Sequence, residues 1–242
     1  MNRTEIASIL TDHAKWLKDA TLGKRADFSN MDLSYQDFSN QDLTQAVFTK
    51  ANLDNASFAH AKLSYAEMSE AEMYEVNLAH ANMTCANLHK ARLYKSSLKN
   101  ANLHNADLTN TDLSKTDLSY ADLSHANLHH ARLRDANLQH ANLYNAVALF
   151  TNFSRADLSN TLLADCCLFN AKIYDAKLGD HHIRVYAFQE YSCYRCNREF
   201  TVGQHSHNIR EWKLFTEAEL FNMDGQKMVV FYNNVLQNIF DL

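Results

Sequence analysis

The 242-residue chain contains no proline, only four glycines and five cysteines. The cysteines (Cys85, Cys166, Cys167, Cys193 and Cys196) are odd in number and follow no secretory leader. That combination argues against a disulfide framework and for a reducing, cytoplasmic setting. Residues 1–22 hold no apolar run of leader length, because Asp12, His13 and Lys15 interrupt it. No stretch approaches the length of a transmembrane span. Glycine-rich phosphate loops, nucleophile elbows and HExxH helices are absent, so the chemistry those motifs serve is not indicated. Neither charge dominates: 23 basic against 28 acidic residues give a formal net charge of −5. Hydrophobic residues at 46% exclude a disordered chain, yet the mean hydropathy is −0.41.

What the chain has instead is a period of five. From Phe28 to Leu178, 31 positions spaced by five carry a large apolar side chain, with Ala148 the one exception. Two residues before each lies a second series, alanine in 21 of 31 cases. Most departures are small or apolar (Met31, Val76, Ser96, Thr111, Thr116, Thr151, Thr161, Cys166), but two are Gln36 and Gln41. No insertion breaks the phase. Five is neither a helical nor a strand period, so the pattern describes a short straight edge followed by a corner. Such edges must close into coils, and the coils must stack to bury the Leu and Ala columns.

The units Ala86-Asn-Leu-His-Lys90, Ala121-Asp-Leu-Ser-His125 and Ala126-Asn-Leu-His-His130 resemble the pentapeptide-repeat family, whose unit is A(D/N)LXX. The resemblance covers about 155 residues. It implies an all-β solenoid: a right-handed quadrilateral β-helix with one pentapeptide per side. Thirty-one units then make about eight coils, a rod roughly 37 Å long at the usual strand spacing of about 4.8 Å. The expected organisation is an N-terminal capping helix over 1–22, the β-helix over 23–179 and a small α+β module over 180–242 that caps or dimerises. Gly23 and Gly179 punctuate the boundaries. Ile6, Ile9, Leu10, His13, Trp16 and Leu17 recur at helical spacing, as a helix covering the open edge of the first coil requires.

The outward slots hold the functional candidates. Asp27, Asp32, Asp37 and Asp42 ring one coil, and Glu67, Glu70, Glu72 and Glu75 cluster two coils on. Together they form a candidate partner surface. Asp107, Asp112, Asp117 and Asp122 ring a third coil. Arg92, Lys95, Lys115, Arg132, Arg134, Arg155 and Lys172 gather in the second half. His60 and His80 should stack about 5 Å apart on adjacent coils. Val147, Leu149, Phe150, Leu162 and Phe169 place apolar side chains outside, a candidate docking or dimer patch.

After residue 180 the period stops. The segments 184–188 and 194–202 read as two short strands. Thr216 and Glu219 form a capping box, and Asp224 can start a last helix with Met228, Phe231, Val235 and Ile239 on one face. The stretch His207-Asn-Ile-Arg-Glu-Trp212 resembles the C-terminal module of some bacterial and phage family members. Cys193 and Cys196, with His205 and His207, are the candidate metal ligands. Zinc is the ion a cysteine pair on a tight turn would hold, although one residue between the histidines is unlike finger spacing.

The expected function is therefore a non-enzymatic protein-binding scaffold, a bacterial or phage accessory protein acting on a host protein. The family resemblance implies a second reading, a DNA mimic that binds gyrase or topoisomerase IV. The zinc cluster would make a third. No cofactor beyond that zinc, no direct nucleic-acid binding and no membrane contact are expected, and a homodimer through the C-terminal module is a further expectation.

Overall fold

A computed structural model describes residues 2–163, 166–168, 171–178, 185–187, 192–196, 199–202, 205–208, 216, 218–220 and 222–223. The chain divides into two compact units, Met1–His181 and His182–Leu242.

The first unit opens with helix α1, Arg3–Lys18. Asn2 caps it: its side chain accepts the Glu5 N–H at 2.9 Å, and Glu5 accepts the Asn2 N–H at 2.9 Å. This reciprocal arrangement satisfies two donors that a helix start leaves bare. Of the predicted apolar face, only Ile6 and His13 are buried. After the helix the chain turns back along it. A Cβ on Gly23 would stand 2.1 Å from the Asp12 carbonyl oxygen and 2.7 Å from the Trp16 nitrogen. Gly23 is therefore a close-approach residue, and not simply a boundary marker.

From Asp27 onward the backbone forms parallel bridges between every fifth residue and the one twenty places later, from Asp27 with Val47 to Asp157 with Lys177. Twenty residues are four pentapeptides, so each coil has four sides. In the first coil these are residues 27–30 (side 1), 32–35 (side 2), 37–40 (side 3) and 42–45 (side 4).

One repeat unit shows how five residues satisfy their backbone. In residues 106–110, the Ala106 N–H bonds the Leu103 carbonyl at 2.9 Å and closes the preceding turn. The Asp107 N–H reaches back one coil to Ala86 at 2.9 Å; those of Leu108 and Asn110 reach forward to Asn127 at 2.8 Å and His129 at 2.9 Å. The fifth donor, Thr109 N–H, is taken by the Asp107 side chain at 2.9 Å. Every N–H thus has a partner. The acceptor two residues before that fifth donor is the reason for Asp or Asn in the second slot, since this is an Asx-type turn bond.

The last residue of each unit turns the corner in the left-handed region. Twenty-eight non-glycine residues from Asn30 to Asp175 have φ between 54° and 64°. Fifteen of the 28 are Asn, Asp or His, the side chains that tolerate this region best, and none is β-branched. Five of the chain's histidines (His60, His80, His125, His130 and His140) sit there.

The interior is filled. Phe28, Phe38, Phe48 and Phe58 project from sides 1 and 3 and are wholly buried. Rings on the same side stack at 5.0 Å, and rings on opposite sides meet edge to face at 5.5–5.9 Å. Leucine and methionine continue the column at 0% exposure as far as Leu143. Each such side chain is worth roughly 1.5–3 kcal/mol on burial. Ala148, the one small residue in the column, is buried as well. The hydroxyl residues in the alanine series pair their oxygens inside: Ser96, Thr111, Thr116, Thr151 and Thr161 donate to carbonyls 23 residues earlier at 2.6–2.9 Å. Gln36 is half-buried and Gln41 exposed. Both belong to the first coil, whose outer edge has no coil beneath it.

In the second unit the structure differs from the two expected strands. Val185–Ala187 (β1), Ser192–Cys196 (β2), Glu199–Val202 (β3) and His205–Asn208 (β4) make an antiparallel meander in the order β1-β2-β3-β4. The expected strand 194–202 is two antiparallel strands, with Cys196 pairing Glu199 and Cys193 pairing Val202. The capping box is present: Glu219 accepts the Thr216 N–H at 2.8 Å, and the Thr216 hydroxyl accepts the Glu219 N–H at 3.3 Å. Trp212, Gly179 and the helix expected from Asp224 lie outside the described residues.

The corner geometry is testable at Asn110. Asn110→Val should cost about 1–3 kcal/mol, because a β-branched residue is strained at positive φ. At about 2–4 °C per kcal/mol for a chain of this size, thermal unfolding resolves the loss. Asn110→Gly should melt like wild type or slightly higher.

Candidate interaction surface

Three of every five residues in the rod face outward, and the coil register fixes which stand above one another. The acidic ring is built into the turns. Asp27, Asp32, Asp37 and Asp42 accept the N–H groups of Ser29, Ser34, Ser39 and Thr44 at 2.9, 3.1, 2.9 and 3.3 Å. Hydrogen bonds to Ser29, Ser34 and Ser39 hold the first three carboxyls below their usual range. For Asp42 burial opposes ionisation, but the Thr44 hydroxyl and Lys62 outweigh it and its pKa is lowered too.

The glutamate cluster is matched across coils. Glu67 accepts from Asn87 Nδ2 at 2.8 Å. Glu70 lies 3.7 Å from Lys50, Glu72 2.9 Å from Arg92 and Glu75 3.2 Å from Lys95. Asp42 meets Lys62 at 3.0 Å. Half of the eight candidate acids thus face a cation one coil away. Each of these exposed pairs contributes only about 0–1 kcal/mol, yet together they flatten the local field. Among the described residues, Asp27, Asp32 and Asp37 make no ion pair within 4.0 Å.

The basic residues collect on side 2. Arg155 grips Asp135 through two bonds of 2.6 Å, and Arg134 lies 3.7 Å from the same carboxylate. Lys95 and Lys115 both approach the Tyr94 ring, at 5.7 and 5.5 Å from its centre. Tyr74 stands 6.0 Å from Tyr94.

His60 and His80 stack at 4.7 Å with their planes 5° apart, as their spacing required. Tyr120 and His140 do the same at 4.7 Å, and His104 neighbours His125 at 5.2 Å. No group of three or more metal-ligating side chains forms among the described residues. Cys193 and Cys196 lie in one strand, not on a turn. His205 shares the row of Cys193 through Val202, and His207 pairs Phe200. The side chains of these four candidate ligands lie outside the described residues.

The apolar slots fall on sides 1 and 4. Val147, Phe150 and Leu162 are 38%, 42% and 50% exposed, and Leu149 is half-buried. His130 stacks on Phe150 at 5.0 Å, and His129 meets it edge-on at 5.7 Å. Phe169 lies outside the described residues.

One residue had no distinguishing signal in the sequence. His13, which reads as one more position on the apolar face of α1, is wholly buried. Its Nδ1 accepts the Ala26 N–H at 3.1 Å. This replaces the turn carbonyl that serves the equivalent donor in later coils. Its ring stacks on Trp16 at 5.6 Å.

Against known proteins, the family model described as "Pentapeptide repeats" matches in eight overlapping copies that together span residues 24–173. No curated protein sequence matches the chain. Among solved structures, HetL from the cyanobacterium Nostoc sp. strain PCC 7120 is 27% identical, covering 74% of this chain and 94% of its own, with a TM-score of 0.31. A pentapeptide-repeat protein of the Arabidopsis thaliana thylakoid lumen is 27% identical over 57% of this chain and 72% of its own, with a TM-score of 0.27. Trypsin-treated QnrB1 is 16% identical over 65% of this chain and 85% of its own, with a TM-score of 0.46. Among the described residues, no helix is long and apolar enough to cross a membrane.

The His13 contact sets a pH dependence. Burial lowers its pKa, Asp42 opposes that shift, and Arg25 reinforces it. The docked helix therefore needs the neutral ring, whose unfolded pKa is about 6.5. Its contribution is complete above that value and is lost as pH falls below it. Amide exchange in α1, corrected for intrinsic rates, should rise several-fold between about pH 7.5 and 5.5. His13→Asn, which keeps an acceptor but cannot be protonated, should abolish the rise.

Proposed function

This chain belongs to the pentapeptide-repeat family, and from that premise we propose that it is a non-enzymatic scaffold that recognises a protein partner through the outward slots of its rod. One observation carries this reading. The turn bond in the second slot is made equally by Asp in residues 107, 112, 117 and 122 and by Asn in residues 77, 82, 87 and 102. Where the bond is made, Asp and Asn make it alike, so the turn is indifferent to the charge. The distribution of charge over the rod is therefore open to selection for binding, on a backbone stiff enough to hold it in place.

The family also offers the DNA-mimic reading, and QnrB1 is a plasmid-mediated fluoroquinolone resistance protein. Asp27, Asp32 and Asp37, their carboxyls held below the usual range and without an ion pair within 4.0 Å among the described residues, are what favours it. The charge balance weighs against it. Residues 23–180 carry 14 basic and 18 acidic residues, a net of −4. Duplex DNA of about 37 Å carries about 22 negative charges. The protein-binding scaffold is accordingly the reading supported best.

Affinity capture from bacterial lysate with the full chain tests it. A stoichiometric partner should be retained by wild type and lost from variants in which outward charges are reversed while melting is unchanged. Capture that ignores every such reversal would contradict recognition through the rod. A gyrase supercoiling assay in parallel separates the readings: inhibition by wild type, lost in Asp27→Asn, Asp32→Asn and Asp37→Asn combined, would favour the mimic.

A further inference from the structure

Positive charge is not spread evenly over the rod. Within residues 83–160, sides 1, 3 and 4 hold only Lys90, Lys99, Asp107, Asp117, Asp122 and Asp157 as charged groups. Side 2 from residue 92 to 175 holds Arg92, Lys95, Lys115, Arg132, Arg134, Arg155 and Lys172 against Asp112, Asp135 and Asp175, a formal charge of +4. Earlier on the same side, residues 32–75 carry Asp32, Asp54, Glu72 and Glu75 and no basic residue. The excess is thus a bounded patch on one side.

Pairing within the side does not use this excess up. Arg92 and Lys95 are matched by Glu72 and Glu75 one coil earlier. Asp135, in contrast, serves three cations at once. Arg155 holds it with two bonds of 2.6 Å and Arg134 lies 3.7 Å away. Those Arg155 bonds first, and then the charges of Arg155, Arg134 and Lys115, hold its carboxyl below the usual range. Arg132, on the same coil, and Lys172 make no ion pair within 4.0 Å among the described residues, although Asp112 lies one coil before Arg132. At the adjoining edge of side 3, Asp117 is taken up by the Asn137 amide at 3.1 Å and Asp157 faces Lys177 at 3.7 Å. Lys95 and Lys115 are the one place in the rod where two basic residues are neighbours in a column, and the Tyr94 ring lies 5.7 and 5.5 Å from their Nζ atoms. Ammonium groups set side by side favour an anion placed between them.

Given the scaffold reading, on which this rests, we infer that the basic part of side 2 receives a short acidic segment of the protein partner, with carboxylates on Lys115, Arg132 and Arg134. Arginine suits that role because its planar fork matches a carboxylate, and clustered arginines are a recurrent means of reading acidic motifs. Length decides against nucleic acid. From the coil of Arg92 to that of Lys172 is four coil spacings, about 19 Å, which about six extended residues span. A polynucleotide following the side beyond that limit would meet Glu72, Glu75, Asp54 and Asp32, and a chain of net charge −5 repels a long polyanion as a whole. A short acidic peptide stays on the patch.

Fluorescence anisotropy of a labelled hexaglutamate peptide with the full chain tests it. Wild type should bind the peptide at low salt and release it in molar salt, where the screening length falls to about 3 Å. Lys115, Arg132 and Arg134 are exposed, so Lys115→Gln, Arg132→Gln and Arg134→Gln combined should melt like wild type. That variant should bind the peptide roughly tenfold more weakly or worse, the scale of three exposed ion pairs. Lys50→Gln, Lys62→Gln and Lys99→Gln combined remove the same charge from sides 1, 4 and 3 and should leave the affinity near that of wild type. A wild type that ignores hexaglutamate, an equal loss in both triple variants, or tighter binding of a single-stranded oligonucleotide that the first variant abolishes would each overturn the acidic segment. Hexaglutamate ignored while lysate capture still responds to other outward charges overturns this segment alone; capture that ignores every reversal overturns the scaffold reading itself.

Discussion

Satisfying five backbone donors with five residues is the constraint on which the rest of this structure depends. Two N–H groups reach forward a coil, one reaches back, one closes the turn, and one has only the side chain two residues earlier. That turn bond is made at the surface, where a hydrogen bond is worth on the order of 0.5–1.5 kcal/mol. It favours Asp or Asn in the second slot, which holds one of them in 18 of the 31 units. Close packing selects alanine and leucine inside, and the left-handed corner excludes β-branched residues from the fifth slot. The fourth slot is left unassigned by these demands, and the second is only biased by them, as Glu72, Arg92 and Arg132 show.

The same geometry sets the charge pattern. Coils stack directly, so residues twenty apart are neighbours. Six of the eight ion pairs among the described residues join such neighbours, from Lys62 with Asp42 to Lys177 with Asp157. No acidic residue of the rod stands one coil above another acidic residue in its column. Lys95 and Lys115 are the basic exception, and the Tyr94 ring lies against both. Cross-coil pairing thus discourages slipped stacking, much as cross-strand pairs pin the register of a sheet.

The sequence made the rod legible because a strict period leaves little freedom: inside and outside follow from counting, and the His60–His80 stack followed from the same count. Other features were hidden for physical reasons. The role of His13 depends on a contact with Ala26, thirteen residues away, where the first coil lacks a preceding turn. The Asp ring looked like a binding surface, yet its first duty is to accept turn N–H groups, a role invisible without the backbone path. Glu70, Glu72 and Glu75 looked like free negative charge until the register set Lys50, Arg92 and Lys95 beside them. Beyond residue 180 no period operates, and strand signals alone read a four-stranded meander as two strands.

Separation of the turn acceptor from its charge is the central claim, and one substitution set measures it. Asp107, Asp112, Asp117 and Asp122 ring a single coil and are flanked above and below by residues without acidic charge. Replacing all four with Asn removes four negative charges and keeps four acceptors. The melting temperature should stay within about 3 °C of wild type, with one cooperative transition. Unfolding, or a fall of ten degrees or more, would contradict the account and make the carboxylates themselves part of what holds the coils together.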